Sequence, residues 1–444
     1  MSGLWRWLGS AVGVVIIALI LIMIGSWLYV RSVEASVPSD PPPAPLPILW
    51  AAIPNGPQAD QLRLGRRLVI EGDCASCHTR RGGEPFAGGL GLKSPFGTIF
   101  SANITSDRVT GLGAWSNEDF YRALSRGLSP DRGHLYPAFP YPHFSLIPRA
   151  NSDAMLAWLK TVPAVHYRPP GNLLPFPFNI RLGLIGWNAL FFRPAAFHDD
   201  RARSPAWNRG AYLVQGPEHC GACHTPLNVA GAEKQTKGLR GSELNRWVAP
   251  NLTGARRTGL GRWSVADIVE YLRTGRNTRS NAAGPMAEVV SYSTSLLPDS
   301  DLTAIATYLK SLPAGPETSP SPADPAATRR GAAVYSDACA SCHLANGAGQ
   351  PRFIPRLPGS AVAQQANPDG LLHIILAGAR TAPTLRRPSA LTMPSFAWKL
   401  DDQEAADVAT YVRNSWNNRA GPVDRGEAAA MRHHLRLTGK QEAP

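Results

Sequence analysis

The feature that most constrains this chain is a five-residue motif that occurs three times and contains all of its cysteines. The 444-residue sequence has six cysteines. They lie in the segments Cys74-Ala-Ser-Cys77-His78, Cys220-Gly-Ala-Cys223-His224 and Cys339-Ala-Ser-Cys342-His343. The pattern Cys-x-x-Cys-His is typical of covalent haem c attachment, in which two thioethers hold the porphyrin and the adjacent histidine binds the iron. We therefore predict three covalent haem c groups, with His78, His224 and His343 as axial iron ligands.

Two other uses of cysteine fit this pattern less well. A zinc site needs four ligands, usually from paired Cys or His spacings, and a single Cys-x-x-Cys-His segment does not supply them. Disulfides are possible by number, but they leave the three adjacent histidines without a role. Haem attachment explains all nine residues.

Three helical patterns recur around the three motifs, which indicates an internal repeat. A first short helix runs into each motif. A second amphipathic helix ends at a glycine, and its three copies are predicted over residues 115–127, 263–275 and 367–378. A third helix closes each unit. Three helices around a haem form the architecture of c-type cytochromes, so the sequence predicts an all-α fold with three tandem cytochrome c domains, at residues 59–166, 206–312 and 328–418.

An uncharged apolar segment precedes the first unit. Residues 7–30 contain no charged side chain, and as a helix they would span about 36 Å, enough for a hydrocarbon core of roughly 30 Å. A cleaved signal peptide usually has an apolar core of only about 7–15 residues, although Val33-Glu34-Ala35 could form a cleavage site. We predict a retained transmembrane anchor over residues 1–31. Because c-type haem is attached outside the cytoplasm, the haem domains should face the periplasm of a bacterial inner membrane.

The remaining segments connect the units. Residues 32–58 form a Pro-rich tether, 313–327 a Pro/Ser linker and 419–444 a polar tail. Residues 167–205 form a connector whose apolar run of about eleven residues is too short to cross a bilayer. This connector could lie along the membrane surface, fill an interface between domains or subunits, or cover a core.

A methionine lies between the second and third helices of two units. The second unit has Met286 in the sequence AAGPMAEVV, and the third has Met393 in LTMPSF. Methionine opposite histidine is the usual pair of axial ligands in c-type cytochromes and raises the reduction potential. Methionine also fills gaps in ordinary cores, but the matching position beside a proline favours iron ligation in both loops.

The first unit has Phe139 where the methionine is expected, in the sequence HLYPAFPYPHF. Met155 is no substitute, because alignment of the third helices matches it with the core positions Ile305 and Val408. His143 lies four residues past Phe139, and we predict it as the second ligand of the first iron. An open or water-bound iron and ligation by His134 remain the alternatives.

The chain resembles the membrane-anchored three-haem cytochrome c subunits of bacterial periplasmic dehydrogenases. The resemblance covers residues 60–418 and rests on the three motifs and on the segments LYPAFPYPHF, PFPFNIR, GWNALFF, WNRGAYLVQGPEHCGACHTP and AAGPM. The first loop looks most like the branch paired with molybdenum hydroxylases such as aldehyde and nicotinate dehydrogenases. The branch serving quinoprotein alcohol and flavoprotein polyol or gluconate dehydrogenases typically has Met in place of Phe139. Pro142 is a departure, since the molybdenum branch usually has Asp there.

The resemblance implies an electron-transfer subunit without substrate chemistry of its own. Its partner would be a dehydrogenase catalytic subunit, with a molybdenum hydroxylase and its iron–sulfur subunit favoured. Its acceptor would be ubiquinone or a terminal oxidase. The sequence contains no nucleophile elbow, nucleotide fingerprint or His-Glu-x-x-His zinc motif. A peroxidase-like haem enzyme with an open first iron is the alternative from another class, and a free-standing membrane electron shuttle is a third.

The formal net charge of +13 does not indicate nucleic-acid binding. No Lys/Arg run resembles a nucleic-acid tract. The positive charge favours an acidic protein partner or anionic lipid instead.

Overall fold

The structure, a computed structural model, describes residues 2–35, 46–317 and 320–437. It begins with a single long helix, α1 (Ser2–Ala35). Within α1, Gly13–Ser32 is long and apolar enough to cross a membrane, by its length and composition alone. Residues 36–45 of the predicted tether lie outside the described residues.

The first unit follows a short 3₁₀ turn at Pro47–Leu49 and has five helices and one hairpin. In chain order they are α2 (Ala59–Glu71), α3 (Cys74–His78), β1 (Gly91–Ser94), β2 (Gly97–Phe100), α4 (Asn117–Arg126), α5 (Tyr141–Phe144) and α6 (Arg149–Leu159). Helix α4 lies within the limits that the sequence predicts. Ser116 caps its first turn in a reciprocal box with Asp119, and Gly127 ends it in the left-handed region at φ 61°.

The connector contains one helix, α7 (Gly183–Phe191), and the second unit repeats the arrangement of the first. Its elements are α8 (Pro205–Gln215), α9 (Cys220–His224), β3 (Ser242–Leu244), β4 (Trp247–Ala249), α10 (Val265–Thr274), α11 (Pro285–Tyr292) and α12 (Asp299–Ser311), with 3₁₀ turns at Gln235–Lys237 and Thr294–Leu296. Helix α10 carries the same cap as α4, formed by Ser264 and Asp267.

The third unit differs at its C-terminal end. Its elements are α13 (Pro325–Ala338), α14 (Ala340–His343), α15 (Ala361–Gln364), α16 (Asp369–Ala377), β5 (Ala379–Arg380), β6 (Thr392–Met393), α17 (Asp402–Asn414) and α18 (Arg425–Leu437). The prediction of a polar tail after residue 418 is wrong for α18, because Ala428, Met431 and Leu435 are buried in the core of this unit. Three apolar side chains at helical spacing explain the packing.

A glycine lets the first and third helices of each unit cross closely. These glycines of the first helices are Gly65, Gly210 and Gly331. A side chain at each would overlap a carbonyl oxygen of the third helix, that of Ala154, Ala304 and Asp407 respectively. A Cβ atom added to each glycine would also lie close to the Cβ atom of an aromatic residue of the third helix. The distance is 2.9 Å to Trp158 for Gly65, 2.9 Å to Tyr308 for Gly210 and 2.8 Å to Tyr411 for Gly331. These contacts confirm the alignment of the third helices. Met155 is accordingly a core residue, 1% exposed.

The fold is helix-rich but not purely helical, which corrects one part of the prediction. The described residues include three antiparallel two-stranded sheets, β1–β2, β3–β4 and β5–β6. The strands have two to four residues, too short for alternating hydrophobicity to reveal them in the sequence.

The first two units pack around one continuous hydrophobic core, whereas the third unit has its own. Arg209 of α8 lies at the first junction and bonds Glu71 of α2 at 2.6 Å and Asp301 of α12 at 2.9 Å. The third unit contacts the second through Arg246 and Asp369 at 3.0 Å and through the rings of Trp247 and His373, whose centroids are 4.1 Å apart. The second unit thus contacts both of the others.

Candidate functional site

The three motif histidines share one arrangement. Each lies at the C-terminal end of a short motif helix, and its Nδ1 atom lies within hydrogen-bond distance of a backbone carbonyl. The acceptors are Ala102 O at 2.6 Å for His78, Pro250 O at 2.6 Å for His224 and Pro355 O at 3.2 Å for His343. Among the described residues, no hydrogen bond engages the Nε2 atom of any of the three. A carbonyl acceptor fixes the proton on Nδ1 and orients the ring, which is how a metal-binding histidine is usually held.

Burial favours the neutral form of these rings. It lowers the pKa of His78, His224 and His343 below the ordinary histidine value, although the carbonyl hydrogen bonds act in the opposite direction. A neutral imidazole has a lone pair available for iron. The motif histidines are therefore suited to bind iron through Nε2.

The cysteines and the local backbone also fit covalent haem. All six thiols are free of disulfides. Asp73 and His219 precede the first cysteine of their motifs in the left-handed region, at φ 46° and 35°, which turns the chain from the first helix into the motif helix. The cysteine pair and the histidine then lie together on one short helix, as attachment to a single porphyrin requires.

The two candidate methionines occupy different local structures. Met286 is the second residue of α11, after Gly284 at φ 57°, and packs against a small buried cluster that includes Ala287 and Val290. Met393 lies in β6, where its backbone pairs with Ala379. Both side chains are half-buried. Their ligation of iron remains a prediction.

The position of His143 does not support its predicted role. Its Nδ1 atom lies 2.7 Å from Gln215 O, and its Nε2 atom lies 2.5 Å from Glu233 Oε1. Its ring also lies against Gly221, inside the second motif. Burial lowers the pKa of His143, but the hydrogen bond and charge of Glu233 raise it more, so the pKa is raised overall. In this structure neither ring nitrogen is available to iron, because both are engaged by residues of the second unit.

His134 has surroundings that its place in the sequence does not reveal. Its backbone pairs with Leu128, the residue after the glycine that ends α4. Met393 pairs with Ala379, which likewise follows the glycine that ends α16. His134 therefore has the register of Met393 in the third unit. In the second unit the same register belongs to Asn281, five residues before Met286. Its Nδ1 atom lies 2.9 Å from the side-chain amide of Asn188, and no hydrogen bond among the described residues engages Nε2.

Phe139 forms part of the core. Its ring packs against Phe144, with centroids 5.4 Å apart, and against the shared core of the first two units. Phenylalanine has no atom that binds iron. At this position a phenylalanine that packs in the core therefore stands where a methionine could have offered a thioether to the iron.

Ion pairs between residues far apart in the sequence join the first two units. Arg81, three residues after His78, forms an ion pair with Glu288 of α11, and Glu233 of the second unit holds His143. Burial raises the pKa of Asp73, next to the first motif, to about 7, and raises that of Glu218, near the second, well above its ordinary value. The paired residues are far apart in the sequence, so no spacing pattern could have revealed them.

Comparisons with known proteins identify similar chains. The family model described as "Cytochrome c" matches residues 208–313 and 328–416. The gluconate 2-dehydrogenase cytochrome c subunit of Pantoea cypripedii is 39% identical over 86% of this chain and 92% of its own length. The cytochrome c subunit of the quinone alcohol dehydrogenase of Gluconobacter oxydans is also 39% identical, over 84% of this chain and 82% of its own length. A nicotinate dehydrogenase subunit of Pseudomonas putida is 41% identical over 80% of this chain, which spans only 30% of that longer protein.

Proposed function

The chain belongs to the cytochrome c subunits of dehydrogenase complexes, and on that premise we propose that it holds three haem c groups and carries electrons from a periplasmic dehydrogenase to ubiquinone or a terminal oxidase. It is an electron-transfer subunit rather than a catalytic one. A peroxidase-like function is not favoured, because these relatives are cytochrome subunits of dehydrogenases.

The repeated histidine geometry is the observation that carries the proposal of three haems. The family model does not match the first unit. That unit nevertheless has the same Nδ1 contact to a carbonyl, the same left-handed residue before its first cysteine as the second unit, and the same glycine crossing as both other units. These features support one haem in each unit.

Each proposed residue has a definite task. The cysteine pairs Cys74/Cys77, Cys220/Cys223 and Cys339/Cys342 hold the porphyrins by thioether bonds, and the motif histidines bind from one side. Haem, when bound, supplies a one-electron iron couple whose potential depends on its axial ligands. Met286 and Met393 are the proposed second ligands in the second and third units.

At the first iron we propose His134 as the second ligand. Its Nε2 atom has no hydrogen bond among the described residues. Its register matches that of Met393 in the third unit, but not that of Met286 in the second. Binding through Nε2 requires that Nδ1 donate to the amide oxygen of Asn188. The amide must then be flipped, so that its NH2 group donates to the Tyr141 hydroxyl, which in the present orientation donates to the amide oxygen at 2.6 Å.

The contacts between units support a linear order of electron transfer. The first and second units share a core and ion pairs, and the third unit contacts the second. Electrons that enter at either end would therefore pass through the second unit.

The proposal also concerns the dehydrogenase partner and the cellular location of this chain. The identity to the nicotinate dehydrogenase subunit is close to that to the gluconate and alcohol dehydrogenase subunits, so the phenylalanine in the first loop is what favours a molybdenum hydroxylase with an iron–sulfur subunit. The helix Gly13–Ser32 favours a retained anchor in the inner membrane, with the haem units in the periplasm. The affinity-tagged native complex tests the partner by mass spectrometry of its subunits: a molybdenum hydroxylase is expected, and a quinoprotein or flavoprotein would overturn this choice.

The number of haems can be measured directly. The full-length protein, matured in the periplasm, should retain three haems per chain after denaturation, because thioether bonds survive unfolding. Intact mass gives the count, and replacing Cys74 and Cys77 with Ala should lower it to two. A count of two for the unmodified, fully matured protein would refute the proposal for the first unit.

A further inference from the structure

The connector exposes large apolar side chains on a folded surface. Leu182 and Leu190 are each 73% exposed, and Ile185 is 51% exposed. Phe178 and Ile180 are also exposed. Soluble surfaces tolerate scattered apolar residues, but a contiguous group of this kind usually marks an interaction site.

Two neighbouring loops extend this apolar group. Phe96, at the tip of the β1–β2 hairpin, packs against Phe178 with ring centroids 5.1 Å apart. Trp187 donates from Nε1 to Ala230 O at 2.9 Å, beside Val229, which is 99% exposed. This connector surface joins the first unit, the connector and the second unit. It comprises Phe96, Phe178, Ile180, Leu182, Ile185, Leu190 and Val229.

The connector contacts the apolar helix α1 near the C-terminal end of its apolar span. The backbone N–H of Phe176 donates to Ser26 Oγ at 2.9 Å. Ser26 lies six residues before Ser32, the end of the apolar span, which is about 9 Å along a helix at 1.5 Å per residue. A segment attached at this depth would lie at the boundary of headgroups and acyl chains rather than in bulk water.

The charge of the connector also suits a lipid surface. Residues 176–193 contain two arginines, Arg181 and Arg193, and no acidic residue. Segments that lie in the interfacial plane of a membrane combine exposed apolar side chains with basic residues that attract anionic headgroups. A water-soluble protein partner would not need to lie level with Ser26.

We propose that the connector surface is a second, monotopic contact with the bilayer, beside the transmembrane anchor. It inserts its apolar side chains among the headgroups of the periplasmic leaflet and thereby fixes the orientation of the first two units. Asn188 of α7 contacts both Tyr141 and His134, so this membrane contact also supports the loop proposed to bind the first iron. The inference rests on the proposed anchor.

Photoactivatable phospholipids provide the first test. The haem-loaded full-length protein is placed in nanodiscs of phosphatidylethanolamine and phosphatidylglycerol that contain a diazirine lipid, and the labelled peptides are mapped. We expect labels in residues 176–191 as well as in 13–32, and none at Phe353 or Trp398, which are exposed apolar residues of the third unit. Labels confined to 13–32 would leave the anchor intact and overturn the connector contact.

A second test separates the two contacts. A protease site placed between residues 36 and 45 of the full-length protein allows the anchor to be cut after reconstitution into vesicles. The haem units should remain with the vesicles, whereas the variant Leu182→Asp/Ile185→Asp/Leu190→Asp should be released in several-fold greater amount. Val109→Asp, at a site 72% exposed and remote from the connector in sequence, is the control and should remain bound.

The haem absorption spectrum shows whether each variant has folded, and the lipid labelling of the unmodified protein stands independently of the variants. Complete release of the unmodified haem units after cleavage would overturn the proposal. So would cross-links between two copies through residues 176–191, because they would assign this surface to a dimer.

Discussion

Among the residues of the first unit, His134 and His143 are nine positions apart in the sequence but lie in different surroundings. The ring of His143 is held by Gln215 and Glu233 of the second unit, and that of His134 contacts Asn188 of the connector. The sequence distance from Phe139 favoured His143. The nitrogen atom left without a hydrogen bond among the described residues favours His134 instead.

Substitution of the two histidines distinguishes their roles. We expect His134→Ala to convert one haem in three to a high-spin, carbon monoxide-binding form, because the iron loses an imidazole. His143→Ala should leave the spin state unchanged. Electron paramagnetic resonance of the full-length protein measures both. If the unmodified protein already gives a high-spin signal and neither substitution changes it, the first iron has no second protein ligand.

The methionines can be tested through the reduction potential. Met286→His and Met393→His should each lower the potential of one haem, because thioether ligation raises it relative to imidazole. Spectroelectrochemical titration of the purified protein resolves the change. Met155→Leu is the matched control: Met155 is a buried core residue, and this volume-conserving change should leave all potentials unchanged and cost less than about 1.5 kcal/mol.

At the scale of elements, the crossing of the first and third helices defines each unit. Gly65, Gly210 and Gly331 bring the two helix backbones together, and their contacts are nearly identical. The capped second helices and their closing glycines were predictable from local sequence, since caps depend on a few adjacent residues. The short hairpins and helix α18 were not, because their stability depends on neighbours that the chain brings together only on folding.

A methyl group at the second crossing should destabilise the fold. In Gly210→Ala, the added Cβ would overlap the carbonyl oxygen of Ala304, and the helices must separate. We expect a loss of about 1–3 kcal/mol, the usual cost of overpacking, seen as a lower denaturant midpoint of the haem-loaded protein. Gly171→Ala, whose Cβ would meet nothing within 4 Å, is the control. Equal midpoints for the two variants would contradict this role of the crossing.

At the scale of the whole molecule, the apolar helix α1 contacts the connector as well as being joined to the first unit by the chain. The N–H of Phe176 in the connector donates to Ser26 Oγ in the apolar helix. This contact would be lost if the segment before Ser36 were cleaved as a signal peptide. It therefore favours a mature chain that keeps its apolar helix.

The N-terminus of the mature protein tests the anchor. We expect the purified protein to begin at or near Met1 and to require detergent for extraction from membranes. Peptide mass fingerprinting of the N-terminal region decides between the two forms. A mature chain that begins near Ser36, recovered without detergent, would identify residues 1–35 as a signal peptide.

Sequence alone was sufficient to find the repeated helices and the apolar span and to predict the haem attachment residues, because each depends on a local pattern of a few residues or on composition. The family followed from the same motifs and agrees with the relatives. Tertiary structure decided the surroundings of His134 and His143, the pairing of Arg81 with Glu288 and of Glu233 with His143, and the position of the connector beside Ser26. Each of these depends on contacts between residues 54 to 207 positions apart, and such contacts arise from the packing of whole units rather than from any local spacing.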